Sequence, residues 1–453
     1  MTTPTLTRTE THTTTLAIAA AAPLLVLSVY VVPLITLPET AAGVGAGVTE
    51  QTWILNANPL GLAALLLVTG SLADNLGRRR LFAYGAAALA ATSAVGALAT
   101  TPALLIAARI GQGAAGAALL AASLGIVGHV FVDPMARAKA TGMWAAALGA
   151  GLAAGPPLAG ALTLLNWRAV YWVPVAGGIA LVIASRALPE SRAGHRSRTD
   201  LAGMALLAAA LVALLSAVTL GRTGWTSPEV LGLLAATVVF TAAFALVESR
   251  TAEPMLDLAL FRQPLFLLAT GGALLNGLAI IGVGSVTATV WQHAHGFSAF
   301  DTSLMFTLWA SASLAAALTA RRIPIRPSRL LALGYLLSST NLLLLGTGAA
   351  GGWVLWRVLL GFGLSGIGAG LVNAASARLA IDSVPPHRAG MGSGANNTAR
   401  YIGSSVGVAV AISTLSSLGW DAGMDRMLIV GVAMLLAGAV IAFAAKVRAG
   451  TTP

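Results

Sequence analysis

Three arginines of this chain stand inside long apolar stretches, where a charged side chain needs a partner: Arg109, Arg357 and Arg400. Placing an arginine at the centre of a bilayer costs at least about 2.5–3.5 kcal/mol on insertion scales, so such residues usually face a cavity or a partner. Each could bind an anionic or acceptor-rich group, or pair reversibly with a carboxylate. An arginine near a helix end can also extend its head group towards water, an alternative that applies most to Arg357.

Acidic residues are missing from the centre of every apolar stretch. The nearest are Glu39 and Asp301, each close to the end of such a stretch. The chain has no cysteine, and we find no nucleotide-binding loop, histidine-rich metal set or Ser/His/Asp arrangement, so an enzyme is not expected. Neither a cofactor nor a metal site is predicted.

Composition places the chain in a membrane. Of its residues, 57% are hydrophobic and only 9% are charged, whereas soluble domains carry about 25% charged residues. No soluble core could bury so much apolar surface. The net charge of +11 is distributed over short loops between apolar stretches, which argues against nucleic acid and makes the lipid bilayer the expected partner.

The elements that position the arginines are predicted to be membrane helices. A spanning helix needs about 20 apolar residues, and we count about fourteen such stretches. They are predicted at Leu16–Leu37, Trp53–Ala73, Leu81–Ala99, Ala103–Val130, Ala138–Leu164, Ala169–Leu188, Leu201–Leu220, Val230–Val247, Leu265–Trp291, Thr302–Ala320, Leu330–Gly346, Trp353–Ile381, Ala389–Leu418 and Met424–Val447.

An internal duplication organises these helices. Arg109 and Arg357 stand 248 positions apart, and the same offset relates Gly142 to Gly390 and Gly155 to Gly403. The sequence therefore predicts two related six-helix bundles with two helices inserted between them. The predicted parts are a polar tail (1–15), a first bundle (16–188), a linker with the inserted pair (189–250), a second bundle (251–447) and a short tail (448–453).

Loop charge predicts the orientation. If the N-terminus is cytoplasmic, nearly all loop arginines fall on the inner side and most tryptophans at the outer helix ends, as the positive-inside rule and the aromatic belt require. Both termini are therefore expected in the cytoplasm. Trp144 and Trp309 lie inside spans instead, where packing is the likelier role and ligand contact the alternative.

Several motifs, taken in order, resemble the major facilitator superfamily and its fourteen-helix drug:proton antiporter branch. They cover nearly the whole chain: Trp53, Gly70, Asp74, Gly77, Arg78, Arg79 and Arg80 around the first inner loop; Arg109, Gln112 and Gly113 in span four; Gly149, Gly151, Gly155, Pro156 and Gly160 in span five; Trp167, Arg168 and Pro174 at span six; Gly392, Gly394, Asn396, Asn397, Arg400, Gly403 and Gly407 in span thirteen.

The resemblance implies roles for these residues. Gly70, Asp74, Gly77, Arg78 and Arg79 would form a conformational latch, with a static topology anchor as the alternative. Arg322 stands where the second half would need a latch acid, so the latch would be one-sided. Gly151, Gly155, Pro156 and Gly160 would shape a gate. The substrate and proton pathway would contain Arg109, Glu39, Arg400, Arg357, Gln112, Asn396, Asn397, Trp144 and Trp309.

Proton coupling is the weakest match to the family pattern. Antiporters of this kind carry an acid in the middle of helix one, a position that falls near Val29 in this chain. Since helices one and four are neighbours in the family, we hypothesise that Glu39 accepts the proton with Arg109 as its switching partner. The alternative is that Glu39 is a solvated loop residue after Pro38.

The resemblance predicts a monomeric secondary transporter of a bacterial plasma (inner) membrane. It would export small amphipathic or lipophilic compounds such as drugs, antibiotics or related natural products, by proton antiport and alternating access. Without a mid-span acid, neutral or anionic cargo is favoured over dications. Two alternatives stay open: an importer or facilitator of a small neutral or anionic metabolite, and a non-transporting membrane receptor.

Overall fold

A computed structural model gives the fold of residues 8–191, 200–221, 224–251, 254, 256–320, 322–349, 355–384 and 389–445. All regular structure in this part of the chain is helical. Residues 1–7 of the predicted N-terminal tail, the predicted C-terminal tail, residues 192–199 of the linker region and Trp353 lie outside it. Several side chains within the helices, including that of Asp74, are also outside the description.

Fifteen α-helices follow one another along the described chain. They are α1 (Arg8–Val44), α2 (Val48–Leu76), α3 (Arg78–Ala97), α4 (Pro102–Val130), α5 (Pro134–Thr163), α6 (Ala169–Ala184), α7 (Leu201–Leu220), α8 (Pro228–Arg250), α9 (Pro264–Leu275), α10 (Val283–His295), α11 (Ala299–Ala320), α12 (Pro327–Ala349), α13 (Leu355–Asp382), α14 (Ala389–Leu418) and α15 (Trp420–Ala444). A π-helical segment, Asn276–Gly282, joins α9 to α10 without a break. These three pieces make one rod, so the bundle has fourteen rods.

Local sequence signals set several of these helix boundaries. The side chains of Thr101, Asp133 and Ser227 accept hydrogen bonds from backbone N–H groups in the first turns of α4, α5 and α8. A proline occupies the first position of each of these helices, where its missing N–H would have no helical partner and its fixed φ suits the helix. Helix starts are therefore readable from short polar-proline signals.

The rods match the predicted apolar stretches closely, with two differences. Eleven of the rods in the described chain are long and apolar enough to cross a membrane. The larger difference is α1, which begins at Arg8, within the predicted tail, and continues through Pro33 and Pro38 to Val44. The interpretation of Glu39 as a solvated loop residue is therefore wrong: it lies in a helix and is half-buried.

The two ends of the bundle differ in composition. We call the end at which α1 begins the arginine-rich end, because Arg78, Arg79 and Arg80 lie there. We call the opposite end, at which α1 finishes, the tryptophan-rich end, because Trp53, Trp167, Trp291 and Trp420 lie there.

The first six helices pack as one half and α9 to α15 as the other. Across the two halves, α5 packs against α11, α2 against α14 and α1 against α10. The inserted helix α7 contacts both α2 and α14, and α8 packs on α7. Leu211 and Leu215 of α7 share a small cavity with Leu60 of α2 and Ile402 of α14, so α7 covers one seam between the halves.

The halves are packed together more tightly at the tryptophan-rich end. There one hydrophobic cluster contains residues of both halves, among them Ile35, Trp167, Trp291 and Phe306. At the arginine-rich end, two smaller clusters each belong to one half, one around Val127 and Phe131 and the other around Phe266 and Val384. The buried cluster that joins the halves most extensively therefore lies at the tryptophan-rich end.

Candidate functional site

A large cavity lies between the two halves and contains about 1040 Å³ of space, including space open to solvent. Residues of α1 and α5 contribute one wall, and the second half of the chain contributes the rest. Aromatic and polar side chains alternate around it: Tyr30, Phe306, Trp309, Phe362 and Tyr401, with Asn276, Ser338, Asn341, Ser365, Asn373 and Arg400. Its described lining includes no Asp or Glu, so the guanidinium of Arg400 is the charged group facing this space.

All described hydrogen-bond partners of Arg400 are neutral side chains. Its Nη2 donates to Oδ1 of Asn397 at 2.8 Å, and its Nη1 donates to Oδ1 of Asn373 at 3.3 Å. The guanidinium carbon lies 5.1 Å from the ring centroid of Tyr401, a cation–π distance. Arg400 is half-buried, and because amide oxygens leave its positive charge uncompensated, it can also bind an anionic group in the cavity.

The π-helical segment supplies another part of this polar wall. Asn276, its first residue, donates through Nδ2 to Oδ1 of Asn373 at 2.8 Å. Gly277 faces the backbone of Arg400, and Gly403 faces the backbone of Leu274, so close that a side chain at either glycine would collide with the opposite helix. These small residues let α9 and α14 approach closely, and π turns are frequent at functional sites.

Three contacts join α1 to the second half at or near this cavity. The hydroxyl groups of Tyr30 and Ser404 are hydrogen-bonded at 3.0 Å, and the rings of Tyr30 and Tyr401 meet edge to face with centroids 5.8 Å apart. Nearer the tryptophan-rich end, Nε2 of Gln292 donates to the carbonyl of Ile35 at 3.1 Å. Helix α1 is thus tied to the second half beside the cavity.

A second cavity, of about 380 Å³, lies inside the first half between α1, α4, α5 and α6. Arg109 lines it and is fully buried. Its Nη1 donates to the carbonyl of Val29 at 2.9 Å and to Oε1 of Gln112 at 3.1 Å, and its Nη2 donates to the carbonyl of Tyr30 at 3.4 Å. Gln112 in turn donates to Ser93 Oγ at 3.0 Å. Arg109 therefore fastens α4 to the backbone of α1.

The hypothesis that Arg109 pairs with Glu39 is not met in this conformation. Arg109 binds α1 at Val29 and Tyr30, and Glu39 lies ten residues beyond Val29, about 15 Å along the axis at ~1.5 Å per residue. Glu39 Oε2 is buried and has no hydrogen-bond partner among the described residues. Any pairing would need α1 to move relative to α4.

The other predicted pathway residues are divided between the cavity and its surroundings. Trp309 lines the main cavity and donates from Nε1 to Ser365 Oγ at 3.3 Å. Asn397 supports Arg400, whereas the side chain of Asn396 is buried with its Oδ1 unpaired among the described residues. Trp144 donates to Ser123 Oγ at 2.9 Å and joins α5 to α4. This contact agrees with a packing role for Trp144.

Arg357 does not share the environment of its repeat partner. It stands in the first turn of α13, with its guanidinium carbon 5.7 Å from the ring centroid of Trp356. The Trp356 side chain is 57% exposed, and Arg357 lines neither of the two cavities. It therefore lies apart from both cavities in this conformation, and its role as a pathway residue stays a prediction.

The span-five motif lies between two neighbours. A side chain at Gly151 or Gly155 would collide with Leu24 or Val31 of α1, and one at Gly160 would collide with Ser303 of α11. Pro156 lines the main cavity. The motif therefore brings α5 close to α1 within its half and to α11 across the halves, where relative movement of the halves would occur.

The predicted latch is described only in part. Gly77 joins α2 to α3 with a positive φ of 99°, a conformation that favours glycine. Arg78 donates from Nη1 to the carbonyl of Gly125 at 3.1 Å, which ties the turn to α4, and Arg79 is half-buried. The side chain of Asp74 and the surroundings of Gly70 lie outside the described part.

Sequence reasoning missed most of the amide and tyrosine groups around Arg400. Tyr30, Asn276, Asn373 and Tyr401 were not predicted, although a lone asparagine inside an apolar stretch is a usable signal because burying an amide costs free energy unless it is paired. Tyr171, which lines the Arg109 cavity, was also missed.

The chain matches a family model, several named proteins and several solved structures. A family model described as the Major Facilitator Superfamily matches residues 16–408. Multidrug resistance protein Stp of Mycobacterium tuberculosis is 31% identical over 84% of this chain and 72% of its own length. Cephamycin export protein CmcT of Amycolatopsis lactamdurans is 34% identical over 84% and 81%. The multidrug efflux pump LfrA of Mycolicibacterium smegmatis is 31% identical over 90% and 82%.

Solved structures share the fold at low identity. The human organic anion transporter MFSD10 (TETRAN) superposes with a TM-score of 0.65 at 19% identity, over 95% of this chain and 99% of the other. A bacterial homologue of the human lysosomal transporter Spinster, in an inward-facing and unoccupied conformation, has a TM-score of 0.66 at 13% identity, over 96% of each chain.

Proposed function

The chain belongs to the Major Facilitator Superfamily, and we propose that it exports small amphipathic or lipophilic compounds through the cavity around Arg400. It is a multi-pass membrane transporter and not an enzyme. The relatives whose names refer to drug resistance, antibiotic export or multidrug efflux support the direction of transport. We assign it to the fourteen-helix branch, in a bacterial plasma membrane.

The observation that carries this proposal is the main cavity itself. It lies between the halves and is lined by both of them, with an apolar and aromatic surface interrupted by a few polar groups, as small-molecule sites usually are. Aromatic walls suit lipophilic ring systems, and the amides of Asn276, Asn341 and Asn373 offer hydrogen bonds that orient a ligand. Such walls accept varied compounds, provided each has an apolar body.

The charge of the cavity restricts its cargo. Arg400 faces the cavity and its described lining has no acid, so a permanently charged dication would enter an unfavourable field. Neutral compounds, and those with a carboxylate or phenolate that Arg400 can bind, are the proposed cargo.

Alternating access follows from the asymmetry of the packing. The apolar cluster shared by the halves at the tryptophan-rich end supports closure at that end, and the positive-inside rule favours a cytoplasmic arginine-rich end. We therefore assign it as inward-facing, ready to receive a cytoplasmic compound. Export would require the contacts across the halves at Tyr30–Ser404 and Gln292–Ile35 to separate.

Topology can be tested in this cysteine-free chain. Cysteines introduced at Ser197, outside the described residues, and at Gly224, between α7 and α8, are expected to be labelled from opposite sides of the membrane. Labelling of both by an impermeant reagent added to intact cells would contradict the assigned topology.

Protons are the proposed coupling ion, with Glu39 as carrier. The supporting observation is that Oε2 of Glu39 is buried within α1 without a hydrogen-bond partner among the described residues. Glu39→Gln is expected to abolish transport driven by a pH gradient while preserving exchange of compound down its own gradient. Full pH-driven transport by the variant would remove Glu39 from the mechanism.

The decisive experiment uses purified protein in liposomes. A panel of neutral, anionic and dicationic aromatic compounds is measured with and without an imposed pH gradient. Gradient-dependent accumulation of neutral or anionic members supports the proposal, and robust dication transport contradicts the cargo assignment. Transport in the uptake direction alone would favour the importer. No movement of any compound would favour a non-transporting receptor.

A further inference from the structure

The buried guanidinium of Arg109 has no described acidic partner. Its three described hydrogen bonds end on two backbone carbonyls and the amide of Gln112. Carbonyl dipoles orient the guanidinium but do not neutralise it. Buried charges in proteins are paired as a rule, because an uncompensated one is expensive to remove from water.

Two hydrogen-bond donors beside this charge are unused. Arg109 Nε and the Tyr171 hydroxyl are both buried without a hydrogen-bond partner among the described residues. Both residues line the cavity between α1, α4, α5 and α6. Arg109 is fully buried and Tyr171 is only 2% exposed, so bulk water cannot satisfy either group.

The remaining walls indicate what could satisfy them. They are mostly aliphatic, with Leu25, Val32, Leu158 and Leu162 among them, and the described lining has no acid. A ligand here must accept hydrogen bonds from an N–H and an O–H, carry negative charge and need few further polar contacts. A monoatomic anion meets all three conditions, whereas a water molecule adds no charge and normally makes about three hydrogen bonds.

We propose that this cavity is a binding site for a small monovalent inorganic anion, such as chloride, held between Arg109 and Tyr171. The site is distinct from the transport cavity, because α1 and α5 separate the two. Val29 and Val32 of α1 line the anion cavity, whereas Tyr30 and Val31 line the transport cavity. On α5, Gly155 lines the anion cavity and Pro156 lines the transport cavity.

Anion binding would act on transport through α1. Arg109 accepts the anion on one side and binds the carbonyls of Val29 and Tyr30 on the other. The side chain of Tyr30 makes the contact to Ser404 across the halves. An occupied site would stabilise α1 in its present position and with it the conformer described here.

The test compares thermal unfolding of the purified wild-type protein in chloride, bromide and gluconate at constant ionic strength. A ligand that binds the folded state raises the midpoint with the logarithm of its concentration above the dissociation constant. Chloride and bromide are expected to raise it, and gluconate, too large for the site, is not. Equal midpoints in all three salts would mean that water alone occupies the cavity and would overturn the proposal.

Tyr171→Phe locates the response, because it removes only the hydroxyl donor. It should raise the halide dissociation constant about tenfold, the effect of losing one hydrogen bond to a charged group. Tyr335→Phe is the matched control: Tyr335 is equally buried, but its hydroxyl donates to the Gly272 carbonyl at 2.7 Å in the other half. An unchanged halide response in Tyr171→Phe, or an equal loss in both variants, would overturn the proposal.

A second measurement does not depend on the variants. Crystals of the wild-type protein grown in bromide should show an anomalous peak between Arg109 Nε and the Tyr171 hydroxyl. No peak at bromide concentrations that raise the unfolding midpoint would place the halide elsewhere and overturn the assignment.

Discussion

Arg109 and Arg400 are both charged residues inside the bundle, yet their surroundings restrain them differently. Arg109 is fully buried and holds the α1 backbone through the carbonyls of Val29 and Tyr30. Arg400 is half-buried and is held by the side-chain amides of Asn373 and Asn397 at the wall of the large cavity. The first arginine fastens two helices and has only its Nε left for the small anion proposed above, whereas the second is a group available to the transported compound.

The difference has a physical cause. Backbone carbonyls move only with their helix, so Arg109 couples α4 to the position of α1. Amide side chains can rotate, so Asn373 and Asn397 can release Arg400 to an anionic ligand at little cost. Two arginines of equal charge therefore affect different quantities: Arg109 affects folding and conformational change, and Arg400 affects cargo selection.

The largest effect is expected from Arg109→Gln. The change leaves buried carbonyls of α1 with weaker partners, and breaking such a charged network costs about 3 kcal/mol or more. We expect a lower unfolding midpoint, lower abundance and no transport. Arg357→Gln is the matched control, because this repeat-related arginine lies against an exposed tryptophan and should change stability by less than about 0.5 kcal/mol. Similar losses in both variants would break the comparison.

Arg400→Gln should affect cargo and leave the fold intact. Losing one charge-assisted contact corresponds to about a tenfold or greater fall in affinity for anionic aromatic compounds. Neutral analogues should bind within about twofold of wild type, since the aromatic walls are unchanged. Binding is measured with matched acid and amide forms of one compound. An equal loss for both forms would show that Arg400 does not select charge.

Gly155→Ala tests whether α5 must stay close to α1. An added methyl group would collide with Val31, and such overpacking costs typically about 1–3 kcal/mol. We expect slower transport at nearly normal substrate affinity, because the change lies beside the cavity and not in its polar wall. The control is Gly232→Ala on α8, where nothing lies within 4 Å of the new carbon. Wild-type transport rates in Gly155→Ala would show that this packing has no influence on cycling.

Asp74→Asn is expected to have the smallest effect. Removing one charge at the predicted latch should reduce the transport rate severalfold while the protein stays inserted and abundant. The reason is that one of the two conformers of the transport cycle loses a stabilising charge pair. Transport is measured at equal protein amounts in liposomes, with Asp301→Asn as a control, since Asp301 caps α11 through Ser298. An unchanged rate would make Asp74 a topology anchor only.

The chain by itself determined where most of the helices lie. Apolar length, proline and capping residues are local properties, so the predicted stretches match the rods of the bundle closely, and the family model confirms the superfamily. Motif spacing also brought Arg109, Gln112, Arg400 and the span-five glycines to attention. The same spacing paired Arg109 with Arg357, which lines neither cavity, because a repeat offset in sequence does not by itself fix what a side chain contacts.

Only the tertiary structure decided which groups meet. The contact from Arg109 to Val29 joins positions 80 residues apart, and that from Tyr30 to Ser404 joins positions 374 residues apart. No local pattern encodes such pairs, because they depend on the rotation and closeness of packed helices. For the same reason, the sequence could name two arginines but not assign one to a large cavity lined with amides and the other to a small aliphatic one.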